Sequence, residues 1–133
     1  MKKIYLASLI SISLIACGQE ETIDDTNYDQ SPSQEAIETL KKDDKIKEVY
    51  AVNDDEHLLI AIDVKHRHRF KRHQHDLNWT EEMKAEKPNM KVFVATDYKI
   101  VKETKRAAKI AQNKGPNTKQ TIQKIIKLSK EET

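Results

Sequence analysis

Alternating apolar and polar positions predict three β-strands in the middle of the chain. We expect them at Ile46–Val52, His57–Val64 and Met90–Thr96. The second strand has one apolar face, which is formed by Leu58, Ile60, Ile62 and Val64. A polar turn at Asn53–Glu56 separates the first two strands, so they are expected to form an antiparallel hairpin.

Apolar residues at helical spacing predict a helix before the hairpin and another after it. The first helix starts with Ser31 as N-cap and Pro32 in the first turn, with Gln34 able to reach back to the cap. It ends near Lys42-Asp43-Asp44. The second is short: it begins at the capping-box spacing Asn78–Glu81 and stops before Pro88. Its buried side is marked by Trp79 and Met83.

Two basic helices are expected after the third strand. Asp97 can cap a helix from Tyr98 to about Asn113, whose buried side is Tyr98, Val101, Ala108 and Ala111. The last helix follows the Gly115-Pro116 break, with Ile122, Ile125, Ile126 and Ser129 on one face. The whole order of elements predicts an α+β domain, a sandwich in which a small antiparallel or mixed three-stranded sheet packs its apolar face on the helices.

The first residues of the chain have the features of an export signal. Lys2 and Lys3 precede the apolar run Ile4–Ala16, which only serines interrupt. At about 1.5 Å per residue, this run is too short to be a permanent transmembrane helix, and its length is typical of a signal peptide. The run ends in Leu14-Ile15-Ala16-Cys17, which resembles the lipobox of bacterial lipoproteins.

The lipobox resemblance implies that Cys17 is lipidated. Residues 1–16 are then a lipoprotein signal peptide, cleaved after Ala16, and Cys17 carries a diacylglyceryl group on sulfur and an N-acyl chain such as palmitate. An ordinary secretory signal followed by a chance cysteine is the alternative. Cys17 is the only cysteine, so lipidation leaves no thiol for a disulfide or a thiolate metal site. We therefore expect an exported protein anchored to the outer face of the membrane.

Charge divides the remaining chain into an acidic linker and a basic domain. Residues 17–33 contain five acids and no Lys or Arg, lack apolar periodicity, and are expected to be a flexible spacer. Residues 34–133 contain 22 bases and 17 acids, which leaves a net charge of +5. This separation indicates a domain that faces an anionic partner.

At the level of element order, the chain resembles the sporulation lipoproteins of the YhcN/YlaJ type. The matching features are the lipobox, the acidic spacer, the strands Ile46–Val52 and His57–Val64, the basic segment Lys65–Lys71, and Pro88–Asp97. The resemblance implies a small α+β domain similar in outline to BON domains, production in the forespore, attachment to a spore membrane, and a contribution to spore properties or germination. It implies no known reaction. The histidines of the basic segment and the tail after Gly115 lie outside this pattern.

The basic segment at 65–75 holds the main candidate site. It has no acid, four histidines and five cations, namely Lys65, Arg67, Arg69, Lys71 and Arg72. If the second strand continues, His66, His68 and Phe70 extend one face and the first three cations line the other. The segment is then either a solvated extension of the strand or an anion-binding patch for lipid headgroups, wall-polymer phosphates or, less favourably, nucleic acid.

A metal site is a third interpretation of the same segment. Its ligands would be His66, His68, His73 and His75, but five neighbouring cations oppose a dication and no carboxylate lies between the histidines. The histidines also allow a patch whose charge grows as the medium acidifies.

Catalytic signatures are not evident in the sequence. The two glycines, Gly18 and Gly115, form no phosphate-binding loop, the cysteine is committed to lipid, and Asp63 is a lone acid. We expect a non-enzymatic sporulation lipoprotein with no cofactor beyond its lipid, which acts through a basic interaction surface on lipid, wall or protein partners of the spore envelope. The alternatives are a general envelope lipoprotein that binds anionic lipid or wall polymer, and a His-rich metal-binding lipoprotein.

Overall fold

A computed structural model describes residues 26–131 of the chain. The signal peptide, the lipobox with Cys17, and residues 18–25 of the predicted linker lie outside the described residues. The described part contains four α-helices and three β-strands in this order: α1 (Ser31–Leu40), β1 (Ile46–Asn53), β2 (His57–Val64), α2 (Arg72–Glu86), β3 (Lys91–Ala95), α3 (Tyr98–Gln112) and α4 (Thr118–Glu131), with a 3₁₀ helix, His66–Lys71, leading into α2.

The three strands form a mixed sheet in the order β1-β2-β3, and the predicted α+β class is confirmed. β1 and β2 form the expected antiparallel hairpin, in which Val49 lies opposite Ile62 and Ala51 opposite Ile60. β3 pairs with β2 in parallel, with Leu58 opposite Val92 and Ala61 opposite Ala95. A parallel pair needs a crossover, which the 3₁₀ helix and α2 provide.

Both faces of the sheet are buried, whereas the sequence pattern predicted only one apolar face packed on helices. On one face, α1 and α2 contribute Ala36, Leu40, Trp79 and Met83 to a core that includes alternate residues of all three strands. On the other face, α3 and α4 contribute Ile100, Ala107, Ala108, Ile122, Ile125 and Ile126. The reason lies in β2, where Leu59 and Ala61 are as buried as Leu58 and Ile60. A nearly continuous apolar run is typical of a strand covered on both sides.

The second strand ends at Val64, as predicted, and the continuation considered through His66, His68 and Phe70 does not occur. β1 begins at Ile46, whose partner is Val64, and the Lys65 N–H donates to the Lys45 carbonyl beyond it. The pairing with β3 ends at Ala61 and the pairing with β1 ends at Val64, so within residues 26–131 no strand pairs with the chain beyond Val64. The chain therefore turns into the 3₁₀ helix, and α2 begins at Arg72 rather than near Asn78.

The first helix and its approach differ from the predicted boundary between linker and domain. α1 begins at Ser31, inside the range 17–33 that was assigned to the linker. Ser31 does not cap it: the Asp29 carboxylate accepts from both the N–H and the hydroxyl of Ser31, and the N-cap position is Gln30. The Gln30 side chain donates to the Asn53 carbonyl at 2.7 Å and accepts from the Asn53 N–H at 3.0 Å. The folded domain thus includes the residues just before α1.

The α3 boundaries agree with the prediction, and Val101 and Ala108 are buried as predicted. The Asp97 carboxylate accepts from the N–H groups of Lys99 and Ile100, as expected for the N-cap. Tyr98, which was predicted to be buried, is 74% exposed, and Ile100 and Thr104 occupy the core instead. The predicted buried stripe of α4 is confirmed for Ile122, Ile125 and Ile126.

Replacing Asp97 by Ala is expected to lower the free energy of unfolding by about 1 kcal/mol, because two N–H groups of the first turn lose their acceptor. Urea unfolding followed by circular dichroism measures the change. Asp97→Asn, which keeps an acceptor at the cap, is the control and should retain most of the stability. Equal losses in both variants would contradict the capping role.

Candidate functional site: a cationic surface with exposed aromatic residues

The positive charge of the domain is concentrated in the two C-terminal helices and their connections. Residues 97–131 contain ten bases and three acids, a net charge of +7. Residues 34–96 contain twelve bases and thirteen acids. Nine of the ten bases in 97–131 are exposed, the exception being the half-buried Lys119. The α3–α4 layer therefore presents a cationic face to solvent, while residues 34–96 have a net charge of −1.

The predicted basic segment lies at one end of this face. Arg67, Arg69 and Lys71 are exposed on the 3₁₀ helix, and Arg72 is half-buried at the start of α2. A small cleft of about 160 Å³ connects the segment to α3, since Arg69 and Arg72 line it together with Tyr98 and Val101. The structure thus brings the predicted anion-binding residues next to the first turn of a second basic element. We call residues 65–72 together with Lys99 and Lys102 the cationic surface.

Arg69 differs from the other cations of the segment because the fold holds its side chain. Its Nε donates to the Val64 carbonyl at 3.1 Å, and a terminal guanidinium nitrogen lies 3.5 Å from the Asp63 carboxylate. Asp63, considered in the sequence as a lone acid, is therefore the partner of an arginine. Arg69 fixes the 3₁₀ helix against the end of β2, and part of its charge is compensated.

Large apolar side chains stand exposed beside these cations. Phe70 is 81% exposed, Leu77 is 67% exposed and Tyr98 is 74% exposed. Phe70 belongs to the basic segment and Tyr98 lines the small cleft with Arg69 and Arg72, whereas Leu77 lies farther along α2. The Lys71 ammonium lies 5.9 Å from the centre of the Phe70 ring. Apolar and aromatic side chains surrounded by Lys and Arg are typical of surfaces that contact the interface of a bilayer.

A larger cleft of about 440 Å³ lies on the other side of Arg72, between α2, the end of β3 and α4. His73, Asp76, Thr96, Asp97 and Ser129 are among its lining residues. Burial raises the pKa of the Asp76 carboxyl, although a hydrogen bond from the Thr80 hydroxyl and the nearby His73 act in the opposite direction. With two carboxyl groups in its wall, this cleft is mixed in charge, so the anion-binding character belongs to the exposed surface.

The four histidines of the segment do not converge on one point. The rings of His68 and His75 lie 6.1 Å apart, and His75 packs against Trp79 at 5.5 Å between ring centres. His66 and His73 are exposed. In residues 26–131, no three His, Cys, Asp or Glu side chains are grouped in a way that could hold a metal ion. The strand alternation on which the i, i+2 metal interpretation relied is replaced by helical geometry.

A histidine outside the basic segment has a defined partner that the sequence pattern did not reveal. The side chain of Asp54 is fully buried and accepts from the N–H groups of Glu56 and His57. Its second oxygen lies 3.1 Å from Nδ1 of His57. An aspartate that closes a turn onto the N–H groups two and three residues ahead is a recognisable local motif, so the spacing Asp54–His57 is the signal that was available.

Comparisons with known proteins do not assign the chain to a family. No protein-family model matches it, and neither a curated protein nor a solved structure is a significant match. Within residues 26–131, none of the helices combines the length and apolar character needed to cross a membrane. The similarity to sporulation lipoproteins therefore stays a prediction from the sequence.

Proposed function

We propose that the protein is a non-catalytic lipoprotein, anchored through Cys17 to the outer face of the membrane, whose domain binds the anionic surface of that bilayer. The observation that carries the proposal is the cationic surface, where Phe70 and Tyr98 stand exposed beside Lys71, Arg69 and Arg72. Following the resemblance to sporulation lipoproteins, we further propose that the membrane belongs to the forespore or spore, where the protein contributes to envelope properties or germination.

The exposed apolar side chains favour a bilayer over a soluble polyanion. Each Lys or Arg near an anionic leaflet contributes up to about 1 kcal/mol, so the segment contributes several kcal/mol at low salt. This attraction alone does not separate a bilayer from a wall polymer. Phe70 and Tyr98 gain free energy by entering the boundary between headgroups and acyl chains, and a phosphate polymer in water offers no comparable environment.

The geometry of the tether permits this contact. The chain enters the domain where Gln30 and Ser33 bind Asn53, at the end of the sheet that holds the β1–β2 turn. The basic segment follows β2 at the opposite end, about 25 Å away for eight residues at ~3.3 Å each. Fully extended, residues 17–28 reach about 40 Å, which exceeds this distance of about 25 Å. The tether is therefore long enough for the cationic surface to touch the bilayer that holds the anchor.

We expect removal of four cations from the surface to weaken vesicle binding at least tenfold, about 1.4 kcal/mol, at low salt. The protein is the chain from residue 17 with Cys17→Ser, and the variant carries Lys65→Gln, Arg67→Gln, Lys71→Gln and Arg72→Gln. Arg69 is retained because it holds the 3₁₀ helix. Sedimentation with vesicles of phosphatidylglycerol and phosphatidylcholine measures the binding, and the difference should shrink as salt is added.

A matched control removes the same charge from exposed positions outside the cationic surface. Lys41, Lys42, Lys47 and Lys84 are exposed, and replacing all four by Gln should leave vesicle binding nearly unchanged. Phe70→Ser with Tyr98→Ser, which keeps every charge, should reduce the binding that persists at high salt. Equal vesicle affinity of the two Gln variants would refute the role of the cationic surface in membrane binding. Binding to wall polymer without binding to vesicles would favour the polymer alternative.

A further inference from the structure

A second candidate site lies along the free edge of β3, where the sheet meets α4. It is a groove of about 380 Å³, within the size range of small-molecule sites. The residues of its wall that matter here are His57, Lys91, Phe93, Ile126, Lys127 and Lys130. None of them belongs to the cationic surface, so this groove is separate from the surface to which we assign membrane binding.

The wall of the groove combines cations with an apolar floor. Phe93 is half-buried and Ile126 is 8% exposed, so both present carbon surface between α4 and β3. The Lys130 ammonium lies 5.9 Å from the centre of the Phe93 ring, and Lys91 pairs with the carboxylate of Glu56 at 3.5 Å. The groove is lined by three lysines and by no carboxylate. Such a wall suits a ligand that joins an anionic group to a ring or a short carbon chain.

His57 adds a polar group of fixed orientation to this wall. Its ring lies 6.2 Å from Phe93, and its Nδ1 lies 3.1 Å from the buried Asp54 carboxylate. Since an ionised carboxylate only accepts hydrogen bonds, Nδ1 carries the proton of this contact. In the neutral ring, Nε2 is then an acceptor, which fits a ligand hydroxyl.

We infer that this groove binds a phosphorylated polyol, a glycerol phosphate unit being the simplest. Lys127 and Lys130 pair with the phosphate, the carbon skeleton lies against Phe93 and Ile126, and a hydroxyl donates to Nε2 of His57. The same chemical unit occurs in phospholipid headgroups and in polyol phosphate polymers. The inference does not rest on the proposed membrane contact, because the two surfaces share no residue.

The test uses the ¹⁵N-labelled chain from residue 17, which carries Cys17→Ser. This protein is titrated with glycerol 3-phosphate, with glycerol or with inorganic phosphate. Glycerol phosphate is expected to give saturating amide shifts around Phe93 and residues 123–130, glycerol none, and phosphate weaker shifts at the same amides. Lys127→Gln with Lys130→Gln should lower the affinity roughly tenfold or more, a loss of about 1.4 kcal/mol. The control, Lys109→Gln with Lys124→Gln, removes the same charge from exposed positions outside the groove and should retain the affinity.

Further measurements identify the ligand and its source. His57→Ala should reduce the preference for glycerol phosphate over inorganic phosphate. The affinity for short-chain phosphatidylglycerol, below its micelle concentration, is compared with the affinity for a glycerol phosphate oligomer. Tighter binding by either compound supports the site and shows whether its ligand comes from a lipid headgroup or from a polymer. Equal losses in both double-lysine variants, shifts spread over the whole α3–α4 face, or equal affinity for phosphate and glycerol phosphate would overturn the inference. Vesicle binding by the same variants, measured separately, reports on the proposed function alone.

Discussion

Replacing Cys17 by Ser in the full-length chain is expected to move almost all of the protein from the membrane fraction into the soluble extracellular fraction. Each buried methylene of an acyl chain contributes about 0.8 kcal/mol, and two or more chains hold a protein stably where one chain is marginal. We do not expect the cationic surface alone to replace such an anchor, because most of its attraction is ionic and is screened by salt.

Fractionation before and after a wash at about 1 M salt, where the Debye length falls to about 3 Å, measures the two contributions separately. The wild-type protein should stay with the membrane through the wash, whereas most of the Cys17→Ser protein found with the membrane beforehand should be released. Ser13→Ala, which keeps Leu14-Ile15-Ala16-Cys17 intact, is the control. An ordinary secretory signal with a chance cysteine predicts the same distribution for all three proteins.

Replacing Asn53 by Ala is expected to lower the free energy of unfolding by about 2–4 kcal/mol. Asn53 is 2% exposed, and its side-chain oxygen accepts from the Ser33 hydroxyl at 2.6 Å and from the Ser33 N–H. Its amide nitrogen donates to the carbonyls of Asp29 and Asp54, at 2.9 Å each. The substitution removes all four bonds and leaves buried polar groups without this partner, each of which costs about 1–3 kcal/mol when unsatisfied.

Urea unfolding measures the loss of stability in Asn53→Ala as a shift of the unfolding midpoint, provided that the dependence of the unfolding free energy on urea concentration is unchanged. Asn78→Ala on the exposed side of α2 is the matched control and should change stability by less than about 0.5 kcal/mol. We also expect hydrogen exchange of the α1 amides to accelerate in Asn53→Ala, because Asn53 fastens the start of α1 to the sheet. A midpoint equal to that of Asn78→Ala would show that this network contributes little.

The hairpin and the two C-terminal helices follow from the sequence because short-range signals determine them. The polar turn before His57, the cap at Asp97 and the break at Gly115 are all local, and each agrees with the structure. The buried stripe of α4 was also predictable, since Ile122, Ile125 and Ile126 recur at helical spacing.

The basic segment shows where local pattern fails. The alternation of cations after Val64 is typical of a strand. A strand must pair with a neighbour, however, and β1 and β3 offer no partners beyond Val64. The positions of the cations need no structure, because charge is read directly from the sequence. The exposure of Phe70 and Tyr98 was not predicted, since a large apolar residue is assigned to the core unless the packing of the next layer is known.

Packing between elements also determined the coverage of the sheet. The run from Leu58 to Ile62 was interpreted as one apolar face, yet Leu59 and Ala61 face a second helical layer. The parallel direction of β3 follows from the crossover through α2. The sequence did not show that α2 starts at Arg72, because the capping signal at Asn78 indicated a later start.

The intact mass of the protein recovered from the membrane fraction decides whether Cys17 carries a lipid anchor. We predict a chain that begins at Cys17 and carries the added mass of a diacylglyceryl group, with or without an N-acyl chain. A free thiol at Cys17, with residues 1–16 still attached, would contradict it.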